Sequence, residues 1–339
     1  MSRVSSEDIA RAAQVSRATV SYVLNDRPGR RISAETRQRV LQTARSLGYV
    51  PNPAAMALRS GRSDIVLLQE NAWIPGPDQD VLPLGSTSGL LRDAVAREVR
   101  AWGMTLVSAG TGFPLGHALT HLMPTLVLAP AGLSEVDRDA LRRSRVPWYE
   151  PAPPEGFPEA GSGGEAMSLT ASLALAQVEH LRERGHRRIG YLNTSVEAVR
   201  DIAEQRERAV RQAASAVGVE CDHRVRLGPV EDALPECTAT LEQWMADGVT
   251  AVACFNDLYA GLAVKVLRQR GSRIPDDLAV LGVDDEAMSW MLEPPLSTVR
   301  LRMAEFGTHL AACGRAVLDG HPLPPLPAGL TPVVARATT

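Results

Sequence analysis

The stretch Ser5-Ser6-Glu7-Asp8-Ile9-Ala10-Arg11-Ala12-Ala13-Gln14-Val15-Ser16-Arg17-Ala18-Thr19-Val20-Ser21-Tyr22-Val23-Leu24-Asn25 carries the pattern of two short helices joined by a tight turn. Ser5 is placed to cap the first helix, and Asp8, three residues on, makes an imperfect capping box with it. Ile9, Ala12 and Ala13 recur at helical spacing and give that helix one apolar face. Val15 is apolar inside the turn, so it is expected to plug the angle between the helices. Ser16 caps the second helix, on which Val20, Val23 and Leu24 are expected to face inward. Arg17, Ala18, Ser21 and Tyr22 are then left pointing outward. In a helix-turn-helix these are the positions that reach base edges in a major groove. An ordinary pair of amphipathic helices is the plainer reading of the same stretch.

The distribution of charge separates the two readings. Residues 1–62 hold 11 Arg against 4 acidic residues, a charge of +7, and the remainder carries −10, which together give the −3 of the 339-residue chain. A basic head on an acidic body points to a nucleic-acid partner for the head alone. Asp26-Arg27-Pro28-Gly29-Arg30-Arg31 is a basic turn suited to phosphates. Ser33 caps a third helix with Val40, Leu41, Ala44 and Leu47 on one face and Gly48 as its stop. Next, Pro51-Asn52-Pro53-Ala54-Ala55-Met56-Ala57-Leu58-Arg59 favours helix but is too short to hold one unaided, so it reads as a hinge that becomes helical when something packs on it.

On these residues the chain resembles the lac repressor family of bacterial transcription regulators. The resemblance in the head rests on Val15-Ser16, Ala18-Thr19-Val20-Ser21, Val23-Leu24-Asn25, Ser33 through Arg39, Leu47-Gly48-Tyr49, Pro51-Asn52, Ala55 and Leu58. The family has Gly where Gln14 stands, and usually Arg at Tyr22 and Met56. Arg is the commonest reader of guanine, so its loss at Tyr22 bears on the half-site sequence. The resemblance implies that Ser16, Thr19 and Asn25 hold the DNA backbone. It also implies that paired hinge helices approach closely at Ala55, and that Leu58 wedges between central base pairs and kinks the duplex.

From Asp64 onward, short apolar strands alternate with helices. The strands expected are Ile65 to Leu68, Met104 to Ala109, Leu126 to Ala129, Val146 to Tyr149, Ile189 to Leu192, a segment near Val225, Val249 to Cys254, Leu278 to Val283 and Leu330 to Ala335. Helices are expected from Gly89 to Trp102 (with Leu90, Ala94 and Val95 on one side), Ser134 to Ser144, Met167 to Arg184, Ile202 to Val217, Pro235 to Ala246 and Asp257 to Gln269. Repeated βα units argue for parallel sheets covered by helices, and the Pro/Gly-rich segment Pro151 to Gly164 argues for a crossing between two lobes.

The body resembles the same family, whose effector domain is similar to periplasmic sugar-binding proteins. The carrying residues are His180-Leu181, Gly185 through Ile189, Asn256-Asp257, Gly271, Ile274 through Asp277, Val280, Gly282, Asp284-Asp285 and Pro294 through Arg300. The expected fold class is therefore an all-α helix-turn-helix headpiece plus hinge helix, followed by an α/β two-lobed periplasmic-binding-protein-like effector domain. The headpiece spans residues 1–60, with the hinge helix at about 52–60, and the effector and dimerisation domain spans 61–339. Lobe 1 is expected at about 61–165 plus 296–320, and lobe 2 at about 166–295 plus 321–339.

For a small molecule between the lobes, Arg206 matches the family's arginine and Trp73 stands near the family's aromatic, while Asn256 and Asp284 each follow a strand at the expected lobe interface. An arginine fork suits vicinal hydroxyls or a carboxylate, an amide offers donor and acceptor, and a carboxylate accepts from hydroxyls. The plain alternatives are a surface ion pair for Arg206, a helix cap for Asn256 or Asp257, and a turn for Asp284. The first lobe departs from the family pattern. Leu169-Thr170-Ala171-Ser172-Leu173 stands where Asp-Asn-x-x-Gly is usual, and the aspartate that often follows the strand at Tyr149 is missing unless Glu150 replaces it. A pocket stripped of those groups suggests an effector less polar than a hexose, or none.

Other chemistries find little support. The four cysteines, Cys221, Cys237, Cys254 and Cys313, fit neither a zinc site nor a disulfide framework, and a reduced cytoplasm is the simplest home. No apolar run approaches a membrane span and no cleavable signal is read. Gly85-Ser86-Thr87-Ser88-Gly89 lacks the Lys of a phosphate-binding loop, and Pro322 to Pro327 reads as a rigid linker. No GxSxG elbow, cofactor fingerprint, HxxxH pair or Cys/His cluster is read, so neither an enzyme nor a cofactor or metal is expected. The expectation is a homodimeric regulator, most simply a repressor, on near-palindromic double-stranded DNA, tuned by a small molecule such as a sugar or related metabolite. A regulator sensing a protein partner or nothing, and a solute-binding protein, are the alternatives.

Overall fold

The computed structural model describes residues 4–24, 32–49, 63–70, 86–110, 113–130, 132–151 and 169–339. They fall in two compact units, residues 1–63 and 64–339.

The first unit holds α1 (Ser6–Ala12), α2 (Arg17–Leu24) and α3 (Ala34–Ser46). Ile9, Ala13, Val20, Val23, Val40 and Ala44 close a small core, with Val15, Leu41 and Tyr49 packed around it. Of the residues expected inside α1, Ala12 is exposed and Ala10 is buried instead. The apolar face runs through Ile9, Ala10 and Ala13, a phase that two neighbouring alanines leave ambiguous in the sequence.

The second unit contains two sheets. The smaller joins β1 (Ile65–Gln69), β2 (Thr105–Ala109), β3 (Leu126–Leu128) and β4 (Trp148–Tyr149) in the order β2-β1-β3-β4, all parallel. Both faces of β1 and β3 are covered, which is why they read as unbroken apolar runs. Val66, Leu68, Leu126 and Leu128 pack under α4 (Ser86–Ala101), whereas Leu67 and Val127 pack under α5 (Leu115–Leu122) and α6 (Glu135–Ser144). On α4 it is Leu91 that turns inward, and Leu90, expected on that side, is half exposed at 50%.

The larger sheet is built from β5 (Arg188–Thr194), β6 (Glu220–Leu227), β7 (Ala251–Cys254), β8 (Ala279–Val283), β9 (Ser297–Val299) and β10 (Val333–Val334). Its order is β10-β9-β8-β7-β5-β6, parallel except where β10 runs against β9. Alternate residues again feed opposite cores. Ile189, Tyr191, Ala251, Ala253 and Leu281 face α7 (Leu169–Glu183) and α8 (Arg200–Ala216). Leu192, Val252, Cys254 and Val280 face α9 (Leu234–Ala246) and α10 (Asp257–Arg270).

Two helices complete the unit, α11 (Ala287–Met291) and α12 (Met303–Asp319). α12 returns to the small sheet, where Phe306 and Leu310 join Leu91 and Val95. The crossing back therefore comes after Val299, not at residue 296, because Ser297–Val299 pairs with β8. The last crossing also lies later than residue 321, since Leu326 and Leu330 pack on the first lobe before β10 joins the second. The expected strand Leu330 to Ala335 shrinks to Val333–Val334 for the same reason. Of the expected Pro/Gly-rich crossing, all but Pro151 lies outside the described residues.

Candidate functional site

In the first unit the site begins with caps. The Ser5 side chain accepts from the Asp8 amide at 3.3 Å while the Ser5 amide donates to the Asp8 carboxylate at 2.9 Å, a complete capping box. α1 then ends on Gln14 at φ +52, and the Val15 amide reaches back to the Ala10 carbonyl at 3.0 Å. That is a Schellman closure, with Val15 driven into the core as its apolar anchor. The turn thus fixes the angle at which α2 leaves.

Ser16 caps α2 by accepting from the Thr19 amide at 3.1 Å, and the two hydroxyls bond at 2.9 Å. Val20 and Val23 point inward, so Arg17 and Ser21 form one outward row and Ala18 and Tyr22 the next. Arg17 and Ala18 are exposed, and Ser21 and Tyr22 are half-buried. No described residue pairs with the Arg17 guanidinium. Asn25, Ala55 and Leu58 lie outside the described residues, as does Trp73.

In the second unit, Arg206, Asn256 and Asp284 gather at the carboxyl ends of the large sheet, where open α/β sheets hold their ligands. Arg206, on α8, donates to the Phe255 carbonyl at 2.6 Å and lies 4.7 Å above the Phe255 ring. Asn256 caps α10, its side-chain oxygen accepting from the Tyr259 amide at 3.2 Å, while its NH2 group has no hydrogen-bond partner among the described residues. The cap thus occupies one atom of the side chain and leaves the amide donors unspent.

Asp284 follows β8 at φ +103, its amide donating to the Val299 carbonyl at 2.9 Å. No described residue hydrogen-bonds its carboxylate. Burial pushes this carboxyl above its ordinary value, and the Arg206 charge works in the opposite direction. Behind it, Asp257 is fully committed. It accepts from the Glu286 amide at 2.8 Å, Ser289 Oγ at 2.5 Å and Thr298 Oγ1 at 2.6 Å. Burial outweighs these bonds and raises its carboxyl to about 7. Asp257 therefore anchors the loop that presents Asp284, a role that the helix-cap reading of Asn256-Asp257 only hinted at.

The first lobe offers fewer open groups. Glu70, at the end of β1, is buried and bonded to Arg92 at 2.8 Å and Ser108 at 2.9 Å. Glu150 does not take the place of a free aspartate. It accepts from Arg138 at 2.8 and 2.9 Å and from the Leu133 amide at 3.0 Å. Burial pushes its carboxyl up, but Arg138 together with the bonds from Trp148 and the Leu133 amide outweighs that and holds it below the ordinary carboxylate range. Leu169 and Leu173, standing where Asp and Gly are usual, instead join Val283, Val299 and Leu301 in an apolar cluster at the crossings. A separate open hollow of about 280 Å³ is lined by Thr194, Ser195, Arg200, Ala203, Glu204 and Arg226, none of them an expected site residue. Its charges are paired, Arg226 with Glu204 at 3.6 Å and Arg200 with Glu197.

The expectation of no HxxxH pair fails at His117 and His121, which stand four residues apart on α5. Among the described residues no three His, Cys, Asp or Glu side chains cluster as a metal site, and no helix is long and apolar enough to cross a membrane.

Comparison with known proteins agrees with this geometry. Residues 7–52 match bacterial regulatory proteins of the lacI family, and residues 178–339 match a periplasmic binding protein-like domain. The HTH-type transcriptional regulator reg1 of Streptomyces lividans is 31% identical over 333 residues, covering 94% of this chain and 91% of its own. A solved complex of the transcriptional regulator CelR with cellobiose is 26% identical, with a TM-score of 0.62 over 99% of this chain and 100% of that one. The lac repressor dimer bound to operator and an anti-inducer shares the fold at 20% identity and a TM-score of 0.74, over 99% of each chain.

Proposed function

The chain belongs to the lacI family of bacterial regulatory proteins, and from that premise we propose that it is a homodimeric repressor acting on a near-palindromic operator in the cytoplasm. It is a DNA-binding transcription regulator and not an enzyme. One observation carries the reading. The same chain joins a helix-turn-helix that leaves Arg17 and Ala18 exposed to a two-lobed unit with an uncommitted Asp284 carboxylate beside Arg206.

On DNA, Arg17, Ala18, Ser21 and Tyr22 face bases, while Ser16, Thr19 and Asn25 fix register on the backbone. Ala55 permits close approach of two hinge helices, and Leu58 is the apolar wedge at the operator centre. Between the lobes, Asp284 and the Asn256 amide take hydroxyls, Arg206 orients them from its seat on Phe255, and Trp73 supplies an aromatic wall. Cellobiose in the related CelR supports a sugar or related metabolite as the class of effector. The apolar side chains of Leu169 and Leu173 and the internal pairing of Glu70 and Glu150 favour one less polar than a hexose. Ligand binding alters lobe closure and so the spacing of the hinges, with a coupling of roughly 1–3 kcal/mol to operator affinity.

The test is selection of bound sequences from random duplex DNA at stated salt, repeated with a panel of sugars and related metabolites. A palindrome with a flexible central step supports dimer, headpiece and wedge together, and a ligand that changes its occupancy supports the pocket. Absence of any enriched sequence overturns the repressor reading. A palindrome insensitive to every small molecule assigns the lobes to a protein partner instead.

A further inference from the structure

We propose that His117 and His121 form a two-imidazole site for one divalent transition-metal ion of the Cu2+, Ni2+ and Zn2+ class on the solvent face of α5. α5 is a helix of eight residues that buries Leu115, Ala118 and Leu119 against the first lobe. Burial of those three turns positions 117 and 121 outward, one helical turn apart. The two rings face each other with centroids 4.2 Å apart and planes at 43°. His117 and Phe113 meet edge to face, with ring centroids 5.6 Å apart and planes at 85°. Two nitrogens each ~2.0–2.1 Å from one ion stand about 3 Å apart, a spacing that small side-chain rotations reach from this arrangement.

Four of the remaining five histidines are otherwise occupied. His180 bonds to Thr339 at 2.9 Å, His186 to Thr250 at 2.9 Å and His223 to Asp247 at 3.2 Å. His309 is buried against Cys313, and all four cysteines are buried. His321 is exposed but stands alone. Among the described residues neither ring of the pair has a hydrogen-bond or carboxylate partner, so their nitrogens are not already spent. Neutral imidazoles without carboxylates select borderline ions and leave Mg2+ and Ca2+ unbound. Water fills the other coordination positions. The site lies outside the pocket of Arg206, Asn256 and Asp284 and does not depend on the effector reading.

The experiment is calorimetric titration of the untagged full-length chain with CuCl2, NiCl2, ZnCl2 and MgCl2 at about pH 7.5, where imidazole is mostly neutral. The expected result is one ion per chain, tightest for Cu2+ and absent for Mg2+. Two linked imidazoles act as a chelate, so His117→Ala and His121→Ala should each weaken binding by at least about tenfold. Both positions are exposed, and circular dichroism of the variants checks that the fold persists. Binding that survives both substitutions, or no binding by the wild-type chain, overturns the proposal. As a second readout, the Cu2+-loaded chain should show nitrogen couplings from two imidazoles in its electron paramagnetic resonance spectrum, and a single coupled nitrogen also overturns it.

Discussion

Gln14 is a left-handed residue with a side chain at the C-terminal stop of α1, and α3 shows what the same stop looks like with glycine. There Gly48 sits at φ +65 and the Tyr49 amide closes onto the Ala44 carbonyl at 2.9 Å, the same bond that Val15 makes to Ala10. A residue with a Cβ is disfavoured in this region, so Gln14→Gly should stabilise the headpiece by about 0.5–1 kcal/mol, net of the extra chain entropy of glycine. Urea titration followed at headpiece amide resonances checks the sign. Arg17 sits one turn further on and should act through specificity. Arg17→Ala should cost roughly 1–3 kcal/mol on the cognate site and relax one position of it. If non-specific DNA were weakened equally, Arg17 would be a phosphate contact. A third prediction concerns Asp257, whose carboxyl is raised from 3.8 to about 7 by burial. Its contribution to stability is full below the lower value and is lost as pH rises through the higher one, because the folded state disfavours the charge. Asp257→Asn carries no such penalty. Its melting temperature should gain on the wild type as pH rises from about 4 to about 8, and a gap independent of pH would show that the carboxylate is not strained by burial. This residue was hard to read from sequence because its partners Glu286, Ser289 and Thr298 come together only when α11 and β9 pack behind it.

Elements were legible where periodicity and length agreed. β1, β3, β7 and β8 are short apolar runs bounded by polar residues, and each lies buried in a parallel sheet. α11 is illegible because five residues give too little periodicity, and α5 because it follows a proline cap with no side-chain bond, without the serine that marks α1 and α2. β9 is three residues that belong to a sheet only through β8 and β10. α12 was legible in principle, as Phe306, Leu310 and Cys313 keep helical spacing, yet its destination in the first lobe is a fact of topology that no local pattern carries. That destination sets a packing constraint. At Gly307, α12 comes so close to α4 that a Cβ would meet the Leu91 carbonyl oxygen at 2.6 Å and Ala94 Cβ at 2.9 Å. A backbone oxygen cannot step aside without moving its helix, so Gly307→Ala should destabilise the second unit by about 1–3 kcal/mol. Chemical denaturation of the full chain measures it, and an unchanged midpoint would mean that the two helices separate at little cost.

Across the whole molecule, charge divides at the headpiece, with +7 in residues 1–62 and −10 in the remainder. The head was legible because its capping serines, apolar spacing and arginines lie within one short stretch. The candidate site was legible only in part. Arg206, Asn256 and Asp284 lie at the carboxyl ends of the large sheet, but the pairing of Glu70 with Arg92 and of Glu150 with Arg138 spans 22 and 12 residues of sequence. Two sites on one chain imply a thermodynamic constraint stronger than any single contact. If an effector changes operator affinity by some factor, operator must change effector affinity by the same factor, roughly 5–150-fold for a coupling of 1–3 kcal/mol. On the proposed reading Asp284 enters that linkage through its uncommitted carboxylate, on a loop that Asp257 ties to α11 and β9. Asp284→Ala should therefore abolish the change in operator affinity on adding effector while leaving operator affinity without effector intact. Fluorescence anisotropy on labelled operator, with and without effector, measures both quantities. Loss of operator binding in the absence of effector would place Asp284 in the scaffold that holds the lobes. A full response retained by the variant would move the effector away from β8 altogether.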